Sequence, residues 1–249
     1  MVSIKSDKEI SIMREAGKIL ADTHNKIAEY IKPGISTLEI DEYAKKIVEK
    51  HNATCSFYHL YDFPGNFCIS INDEVIHGIP SKEKILKDGD IVKVDGGVCY
   101  KGFHSDAART HIIGNVDDSI KLLVERTKNA FFEGIKAAVA GNHIRDISTN
   151  IETYIEKFGY GIVEDYVGHG IGSSVHEDPD VPNFIAIGKG PRLQKNMTLA
   201  IEPMINMGSY EVFVDTDKWT VKTVDGSLSA HYENTILITD NDPEILSLV

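Results

Sequence analysis

Two aspartates in the middle of this chain are spaced so that they could act together. Asp95 lies in a valine-rich run over 91–98 that is typical of a strand, and Asp106 precedes a second strand-like run over 107–113. If the chain folds back near residues 100–101, we expect the two carboxylates to lie about opposite each other, with Cβ atoms roughly 5 Å apart. Carboxylates this close repel each other unless a proton or a cation lies between them. The stretch alone is equally compatible with two solvated turn aspartates.

Two glutamates later in the chain stand in apolar surroundings. Glu202 interrupts an apolar run over 199–205, where burial of an unpaired carboxylate is costly. Pro203 donates no backbone hydrogen bond and suits the end or edge of a strand, so Glu202 is predicted to lie at the edge of a cavity. Glu233 precedes another apolar run, over 236–238, and taken alone it carries the weakest signal.

Three histidines are candidates for a site, although each has an ordinary alternative. His169 stands between Gly168 and Gly170, and glycines let the backbone approach a ligand closely; the alternative is a plain loop. His176 lies in an acidic turn, where a histidine is usually just solvated. His77 precedes a turn of glycine and proline, where a hydrogen-bonded histidine at a strand end is the simpler interpretation.

Taken together, four carboxylates and one imidazole form an oxygen-rich ligand set without sulfur. Such a set suits Mn²⁺, Fe²⁺, Co²⁺ or Zn²⁺, and the formal charge of its four carboxylates balances two divalent ions. A bridging carboxylate holds two ions about 3.5–4 Å apart, where they share a water and lower its pKa, which makes a hydroxide nucleophile available near neutral pH. The predicted ligands are Asp95, Asp106, His169, Glu202 and Glu233.

The charge balance and the cysteines limit the class of protein. Lysine and arginine total 26 against 38 acidic residues, and the net charge of −12 argues against nucleic acid or an anionic membrane as the main partner. The three cysteines, Cys55, Cys68 and Cys99, form neither a disulfide framework nor a zinc-thiolate pattern. The first residues lack an apolar signal core, and no apolar run reaches about 18 residues. We therefore expect a cytoplasmic protein.

The elements that must position these residues come in a similar order in both parts of the chain. A capping box at Ser6 and Glu9 predicts a helix to about Ile31, and Ser36 or Thr37 caps a second helix. Strands are predicted at 67–71, 91–98 and 107–113, and two further helices at about 119–140 and 144–158.

An internal repeat explains this order. At a constant offset of 107 residues, Gly34 falls on Gly141, and the carboxylate of Asp95 falls on that of Glu202. The pattern predicts a single α+β domain over 1–249 that consists of two halves, roughly 1–116 and 117–249, related by a pseudo-twofold axis around a mostly antiparallel sheet system. Ligands are expected to converge at the seam between the halves.

These motifs closely resemble those of the bacterial methionine aminopeptidases, type I, in the same order along nearly the whole chain. The resemblance implies a pita-bread (creatinase/aminopeptidase-like) α/β fold. It also implies removal of the initiator methionine from new proteins when the second residue is small. The matching blocks are 72–80, the pair Asp95 and Asp106, 168–172, 175–177, 201–204, 219–223 and 227–235.

The resemblance assigns unequal roles to the five predicted ligands. Asp95, Asp106 and Glu233 are expected to hold one metal ion, and Asp106, His169, Glu202 and Glu233 the other, so that Asp106 and Glu233 bridge. Glu202 is also expected to act as the general base toward the metal-bound water.

The resemblance further implies a substrate site. His176 is expected to stabilise the tetrahedral intermediate, and His77 to contact the scissile amide. Cys68, Phe63 and Trp219 match by position the cysteine and aromatic residues that hold the methionine side chain. The implied partners are the N-termini of nascent polypeptides near the ribosome, with no nucleic acid and no membrane, and the implied state is a monomer.

The chain departs from the family pattern in two places, and two rival assignments exist. Val175 stands where an aromatic residue is common, which widens the expected pocket, and the segment 55–68 is longer than usual. Prolidase-like and Xaa-Pro aminopeptidases share the ligand set, but they generally carry a large extra N-terminal domain that is absent here. Non-catalytic proteins of this fold tend to lose metal ligands, whereas all five candidates are present.

Overall fold

Two helices followed by a run of strands occur twice along residues 2–248, the part of the chain that the computed structural model describes. The first part contains α1 (Asp7–Tyr30), α2 (Thr37–Lys50), β1 (Thr54–Cys55), β2 (Cys68–Ile71), β3 (Glu74–Ile76), β4 (Ile91–Tyr100) and β5 (Phe103–Ile112). The second part contains α3 (Asp118–Ile135), α4 (Ile144–Ile155), β6 (Gly161–Ile162), β7 (Gly168–Gly170), β8 (Glu177–Val181), β9 (Thr198–Ile201), β10 (Met204–Asn206), β11 (Val212–Val214), β12 (Val221–Thr223), β13 (Ser229–His231), β14 (Asn234–Leu237) and β15 (Glu244–Ile245). Short 3-10 turns lie at Leu60–Asp62 and Glu156–Phe158.

The first two helices begin at serine caps. The hydroxyl of Ser6 accepts a hydrogen bond from the backbone N–H of Glu9, and the Glu9 carboxylate accepts one from the backbone N–H of Ser6. Ser36 and Glu39 repeat this arrangement at the start of α2. Both predicted helix starts are therefore confirmed. Each cap stabilises its helix because it gives hydrogen-bond partners to two backbone N–H groups that would otherwise have none.

The helix α3 ends earlier than its sequence predicts. The alanine-rich segment after Ile135 was expected to continue the helix to about residue 140, but α3 stops at Ile135. Val139 forms a parallel bridge with Thr239, and the backbone N–H of Ala140 donates to the Thr239 carbonyl at 3.1 Å. Pairing with a distant segment thus overrides the helix propensity of alanine.

Within residues 2–248 the strands form four small sheets, and the strand pairings are antiparallel, as predicted. In the first part β1, β2 and β5 all pair with β4. The second part has a five-stranded sheet of order β15-β14-β9-β7-β8 and a three-stranded sheet of order β13-β10-β6. A further sheet, β11-β12-β3, joins a strand of the first part to two of the second.

The helices cover one face of the central strands, and the other face is left for the site. Helix α1 packs against β4 and β5, and α3 packs against α4 and β13. Val92 and Val94 of β4 belong to the core beneath α1 and α2. Because side chains alternate along a strand, Lys93 and Asp95 face away from these helices.

The two parts of the chain meet at a seam between β5 and the segment that joins β13 to β14. The backbone N–H of Glu233 donates to the carbonyl of Ala108 at 3.0 Å, and the N–H of Ala108 donates to the Glu233 carbonyl at 3.4 Å. Helices α2 and α4 begin 107 residues apart, at Thr37 and Ile144. The division into halves near residue 116 is an interpretation of this pattern. No helix within residues 2–248 has the length and apolar character that crossing a membrane requires.

Candidate metal centre and active site

Asp95 and Asp106 lie on the hairpin formed by β4 and β5. Asp95 pairs with Ala108, and Asp106 pairs with Gly97, so the two aspartates are diagonal neighbours on one face. The prediction that they lie opposite each other was wrong. The chain turns at residues 101–102, which have φ of 48° and 83°, one residue later than expected, and this moves the register by two residues.

Glu202 and Glu233 lie next to each other, each in a short break between two strands. Glu202 lies in the gap between β9 and β10, and Glu233 in the gap between β13 and β14. The two gaps lie at the same level, because β9 pairs with β14 and β10 with β13 in one continuous register. Pro203, which has no N–H to donate, follows Glu202 at the break. Glu202 also lines a cavity of about 630 Å³, as predicted for an acid at a strand end.

His169 is held in β7 with one ring nitrogen free. A Cβ atom on Gly170 would overlap the carbonyl oxygen of Asp178, and one on Gly168 would overlap a carbonyl of β9, so neighbouring strands approach too closely for any side chain. The Nδ1–H of His169 donates to the Gly170 carbonyl at 2.8 Å, because a carbonyl can only accept. This leaves Nε2 as the ligand atom, 3.5 Å from Oε1 of Glu202.

Three carboxylates of the cluster, those of Asp95, Asp106 and Glu233, are buried, and the Glu202 side chain is 12% exposed. Burial, together with the charge of Asp106, raises the pKa of Asp95 well above its usual range, and burial raises the pKa of Asp106 to about 7. Burial first, and then the neighbouring carboxylates, raise the pKa of Glu202 and of Glu233 well above the usual range. Such a site is stable at neutral pH only with protons or cations between the carboxylates.

Unpaired atoms show that these residues fit divalent cations. One oxygen each of Asp95, Asp106 and Glu233 is buried and has no hydrogen-bond partner among the described residues. Ligand atoms of Asp106, His169 and Glu233 all lie within 4.8 Å of one another. Hard carboxylate oxygens with one imidazole are the donors that Mn²⁺, Fe²⁺, Co²⁺ and Zn²⁺ accept.

The structure adds one residue to this cluster that sequence reasoning missed. His231 lies within the same 4.8 Å limit of Glu202 and Glu233, and its side chain is 1% exposed. Its place two residues before Glu233 was a usable signal, because residues two apart share a face of a strand.

His77 stands in a turn fastened to β2. The backbone N–H of Ile69 donates to the carbonyl of Gly78 at 2.8 Å, and a Cβ atom on Gly78 would overlap the carbonyl of Ile69. His77 itself has φ of 58°, an uncommon conformation for a residue with a side chain and one that clusters at functional sites. Its ring meets that of Tyr166 edge-on at 5.6 Å. Burial, with the charge of His176, lowers the pKa of His77 to about 4.

His176 lies at the mouth of the cavity on a loop that a buried ion pair holds. The Lys5 ammonium donates to the Glu177 carboxylate at 2.6 Å, and Lys5 is 3% exposed. The His176 ring stacks on Tyr61 at 5.9 Å and meets the His169 ring edge-on at 4.6 Å. Burial lowers the pKa of His176, so its ring is neutral near pH 7.

An apolar pocket adjoins the carboxylates in the same cavity, whose volume is about 630 Å³. Phe63, Cys68 and Trp219, the residues expected to hold a methionine side chain, lie in this pocket together. Val175 packs in the same cluster, and its side chain is 4% exposed. Four further residues line the cavity and were not predicted from the sequence: Phe57, Leu60, Ile76 and Tyr166.

A cavity in which an apolar pocket ends at buried carboxylates that could hold cations, in a chain that repeats an order of two helices followed by strands, indicates a metal-dependent hydrolase. The model of "Metallopeptidase family M24" matches residues 11–240. A methionine aminopeptidase from Clostridium perfringens is 53% identical, and methionine aminopeptidase 1 from Bacillus subtilis is 45% identical, each with 100% of both chains covered. The chain therefore belongs to metallopeptidase family M24 and, within it, to the bacterial methionine aminopeptidases.

Solved structures agree with this assignment. The crystal structure of methionine aminopeptidase from Thermotoga maritima superposes with a TM-score of 0.98 at 42% identity and covers 100% of both chains. An Xaa-Pro dipeptidase from Bacillus anthracis superposes with a TM-score of 0.78 at 27% identity, and it matches 98% of this chain but only 61% of its own. The predicted pita-bread α/β fold and the family resemblance are confirmed.

Proposed function

We propose that this chain removes the N-terminal methionine from nascent proteins whose second residue is small, with two divalent ions in the carboxylate cluster. Aminopeptidase activity on methionine follows from full-length similarity to the bacterial enzymes. The observation that carries the proposal is the position of the apolar pocket, which shares one cavity with the buried carboxylates. A side chain held in the pocket brings the first peptide bond of the substrate to the carboxylates.

The donor set divides naturally between two cations. Asp95 and Asp106 with Glu233 suit one ion, and Asp106 with His169, Glu202 and Glu233 suit the other. Asp106 and Glu233 each have two oxygens in the cluster and can serve both ions. Bound there, Co²⁺, Mn²⁺, Fe²⁺ or Zn²⁺ supplies Lewis acidity, which polarises the peptide carbonyl and makes a water acidic enough to attack near neutral pH.

Glu202 is the proposed general base. Its carboxylate reaches the cavity and is less enclosed than those of Asp106 and Glu233. Burial, followed by the charges of Asp95 and Asp106, raises the pKa of Glu202, which makes its carboxylate a stronger proton acceptor than a solvated one. Glu202 takes the proton of the attacking water and passes it to the departing amine.

Two neutral imidazoles serve the peptide bond. Burial lowers the pKa of both His77 and His176, so each ring offers one N–H donor and one acceptor at pH 7. His77 is proposed to hold the scissile amide. His176 is proposed to donate to the oxygen that becomes negative when the carbonyl carbon is tetrahedral.

The pocket suits a thioether side chain. Phe63 and Trp219 meet edge-on with ring centroids 5.1 Å apart, and the thiol of Cys68 is buried beside Phe63. Methionine sulfur is polarisable and makes favourable contacts with aromatic rings of about 0.3–1.5 kcal/mol. An unbranched chain also enters a narrow slot more readily than a β-branched one.

The proposed setting of the enzyme is the cytoplasm, where a monomer meets the N-termini of new polypeptides near the ribosome and binds neither nucleic acid nor membrane. The net charge of −12 supports the last two statements, because it disfavours binding to polyanions. Light scattering during size exclusion tests the monomer, and co-sedimentation with translating ribosomes tests the meeting with nascent chains.

A peptide assay with metal add-back tests the function. Purified protein is stripped with chelator, and each of the four ions is returned separately while bound metal is counted by elemental analysis. The substrates are Met-Ala-Ser, Leu-Ala-Ser and Met-Pro-Ser, which change one position at a time. We expect Met-Ala-Ser to be cut much the fastest, and only with metal. Full activity of metal-free protein would refute metal dependence, saturation at one ion per chain would refute the paired ions, and equal rates on the three peptides would refute the specificity.

A further inference from the structure

His231 is a buried imidazole that the proposed mechanism does not use. Both of its ring nitrogens are enclosed and lack hydrogen-bond partners among residues 2–248. Its Nε2 lies 3.8 Å from Oε2 of Glu202 and 3.9 Å from Oε2 of Glu233. Burial of ring nitrogens without hydrogen-bond partners costs free energy of folding. The position of this ring beside two carboxylates therefore suggests that it interacts with them.

The backbone at His231 is fixed by a side-chain hydroxyl. The N–H of His231 donates to Oγ1 of Thr110 at 2.9 Å, and that hydroxyl donates to the His231 carbonyl at 2.8 Å. Across the seam, the N–H of Asp106 donates to Oγ1 of Thr235 at 2.8 Å, and that hydroxyl donates to the Asp106 carbonyl at 2.9 Å. His231 thus occupies in the second half the place that Asp106 occupies in the first, and its ring is aimed at the carboxylates.

The two oxygens of Glu202 face different histidines. Its Oε1 lies 3.5 Å from Nε2 of His169, a predicted ligand, while its Oε2 lies toward His231. His231 is not among the residues that line the cavity at the carboxylates; it lines a smaller one of about 210 Å³ beside His24 and Arg109. The imidazole therefore lies behind the carboxylates as seen from the substrate.

We propose that His231 is a positioning residue, whose Nε2–H donates to the rear oxygens of Glu202 and Glu233 and holds both carboxylates in the orientation that metal binding and proton transfer require. The inference rests on the proposed function. The two separations, 3.8 and 3.9 Å, exceed a hydrogen bond by about 1 Å, so each carboxylate has to rotate toward the ring to accept from it. Carboxylates that bind metals are commonly fixed in this way by hydrogen bonds behind them.

Three substitutions test the reach of the donor. His231→Gln places an amide N–H near the position of Nε2, whereas His231→Asn ends near Nδ1 and cannot reach the carboxylates. His231→Leu fills the space without a donor. Co²⁺ affinity is measured by calorimetry on chelator-stripped protein, kcat and KM with Met-Ala-Ser, and folding by thermal denaturation. X-ray absorption on the loaded proteins counts imidazoles per ion.

We expect His231→Leu and His231→Asn to bind Co²⁺ about 10–100-fold more weakly. Their kcat should fall by a similar factor while KM changes by less than about threefold, because the lost interaction orients Glu202 and does not bind substrate. His231→Gln should recover both quantities to within about threefold of the wild type, with the same number of imidazoles per ion.

Several results would overturn this role. A lower imidazole count in His231→Gln would make His231 a direct ligand, and wild-type metal affinity in His231→Asn would remove any need for the donor. If His231→Leu does not fold, the two amide variants still decide, because they differ mainly in reach. Failure of the proposed function would look different. A wild type that binds Co²⁺ but does not cleave Met-Ala-Ser would refute that function, and the Co²⁺ affinities of the wild type and the variants would still test the role of His231.

Discussion

The hairpin of the first half and its counterpart in the second half hold acidic side chains in different ways. Strands β4 and β5 run unbroken through Asp95 and Asp106. In the second half both strands are interrupted, at Glu202 and at Glu233, which divides them into β9 and β10 and into β13 and β14. Short aspartates can therefore be presented from a regular ladder, whereas the longer glutamates are presented from gaps that free the backbone around them.

The connections of the two hairpins differ as well. The first half turns within residues 101–102, but the second half uses residues 207–228, which include β11, β12 and Trp219. Strand β12 pairs with β3, directly before His77. The first hairpin thus contributes the proposed metal ligands Asp95 and Asp106, and the connection in the second part of the chain adds a wall of the proposed substrate pocket.

The largest expected effect distinguishes the roles of Glu202 and Asp95, two carboxylates at equivalent positions of the internal repeat. Glu202→Gln removes the proposed general base, and we expect kcat on Met-Ala-Ser to fall by about 10²–10⁴-fold. Asp95→Asn, at the equivalent position of the first half, should instead lower the number of metal ions bound, and added metal should restore part of its activity. Kinetics with elemental analysis measure both. Activity of Glu202→Gln close to that of the wild type would exclude the base.

Removal of a bridging ligand should cost more metal than removal of a terminal one. Asp106→Ala takes away the carboxylate proposed to be shared by both ions, whereas His169→Ala takes away a proposed ligand of one. We expect the first variant to lose both ions on dialysis and the second to retain about one, as counted by elemental analysis. Equal losses from the two variants would contradict the bridge, and circular dichroism checks that both remain folded.

The pocket wall gives a smaller effect, on binding. Trp219→Ala enlarges the apolar pocket at the wall formed by the connection between β10 and β13. We expect kcat/KM for Met-Ala-Ser to fall by about 10–100-fold. Much of this loss should be in KM, because the indole contacts the held side chain rather than the reacting atoms. Phe213→Ala is the control, since this exposed residue of β11 lies on the same connection but outside the cavity. A similar loss in both variants would indicate a general disturbance of the connection.

Local sequence signals predicted much of the fold, and tertiary contacts decided the rest. The serine caps of α1 and α2 and the acids inside apolar runs were readable because capping and burial act over a few residues. The facing of Asp95 and Asp106 was not, because one residue in the turn moves the register by two. The end of α3 depended on Thr239, far along the chain. His231 was missed because Glu202, its nearer carboxylate, comes beside it only through the pairing of β10 with β13, although its spacing of two residues from Glu233 was a local signal.

The smallest expected effect tests a difference between the two hairpins away from the site. His111 on β5 pairs with Val92, and the equivalent pair of the second half is Ile236 with Leu199. Burial, with the charge of Arg109, lowers the pKa of His111 to about 4, while the unfolded chain titrates near 6.5.

Because the unfolded state binds more protons between these two values, stability rises with pH there and is lost as the pH falls from about 6.5 toward 4. His111→Ile introduces the residue found at the equivalent position, Ile236. We expect the free energy of unfolding of this variant to fall by about 1–2 kcal/mol less between pH 7 and pH 5 than that of the wild type. Urea unfolding of metal-free protein at both pH values measures it. The buried His24 contributes to the remaining slope, and an unchanged slope in His111→Ile would place the acid sensitivity entirely in such other groups.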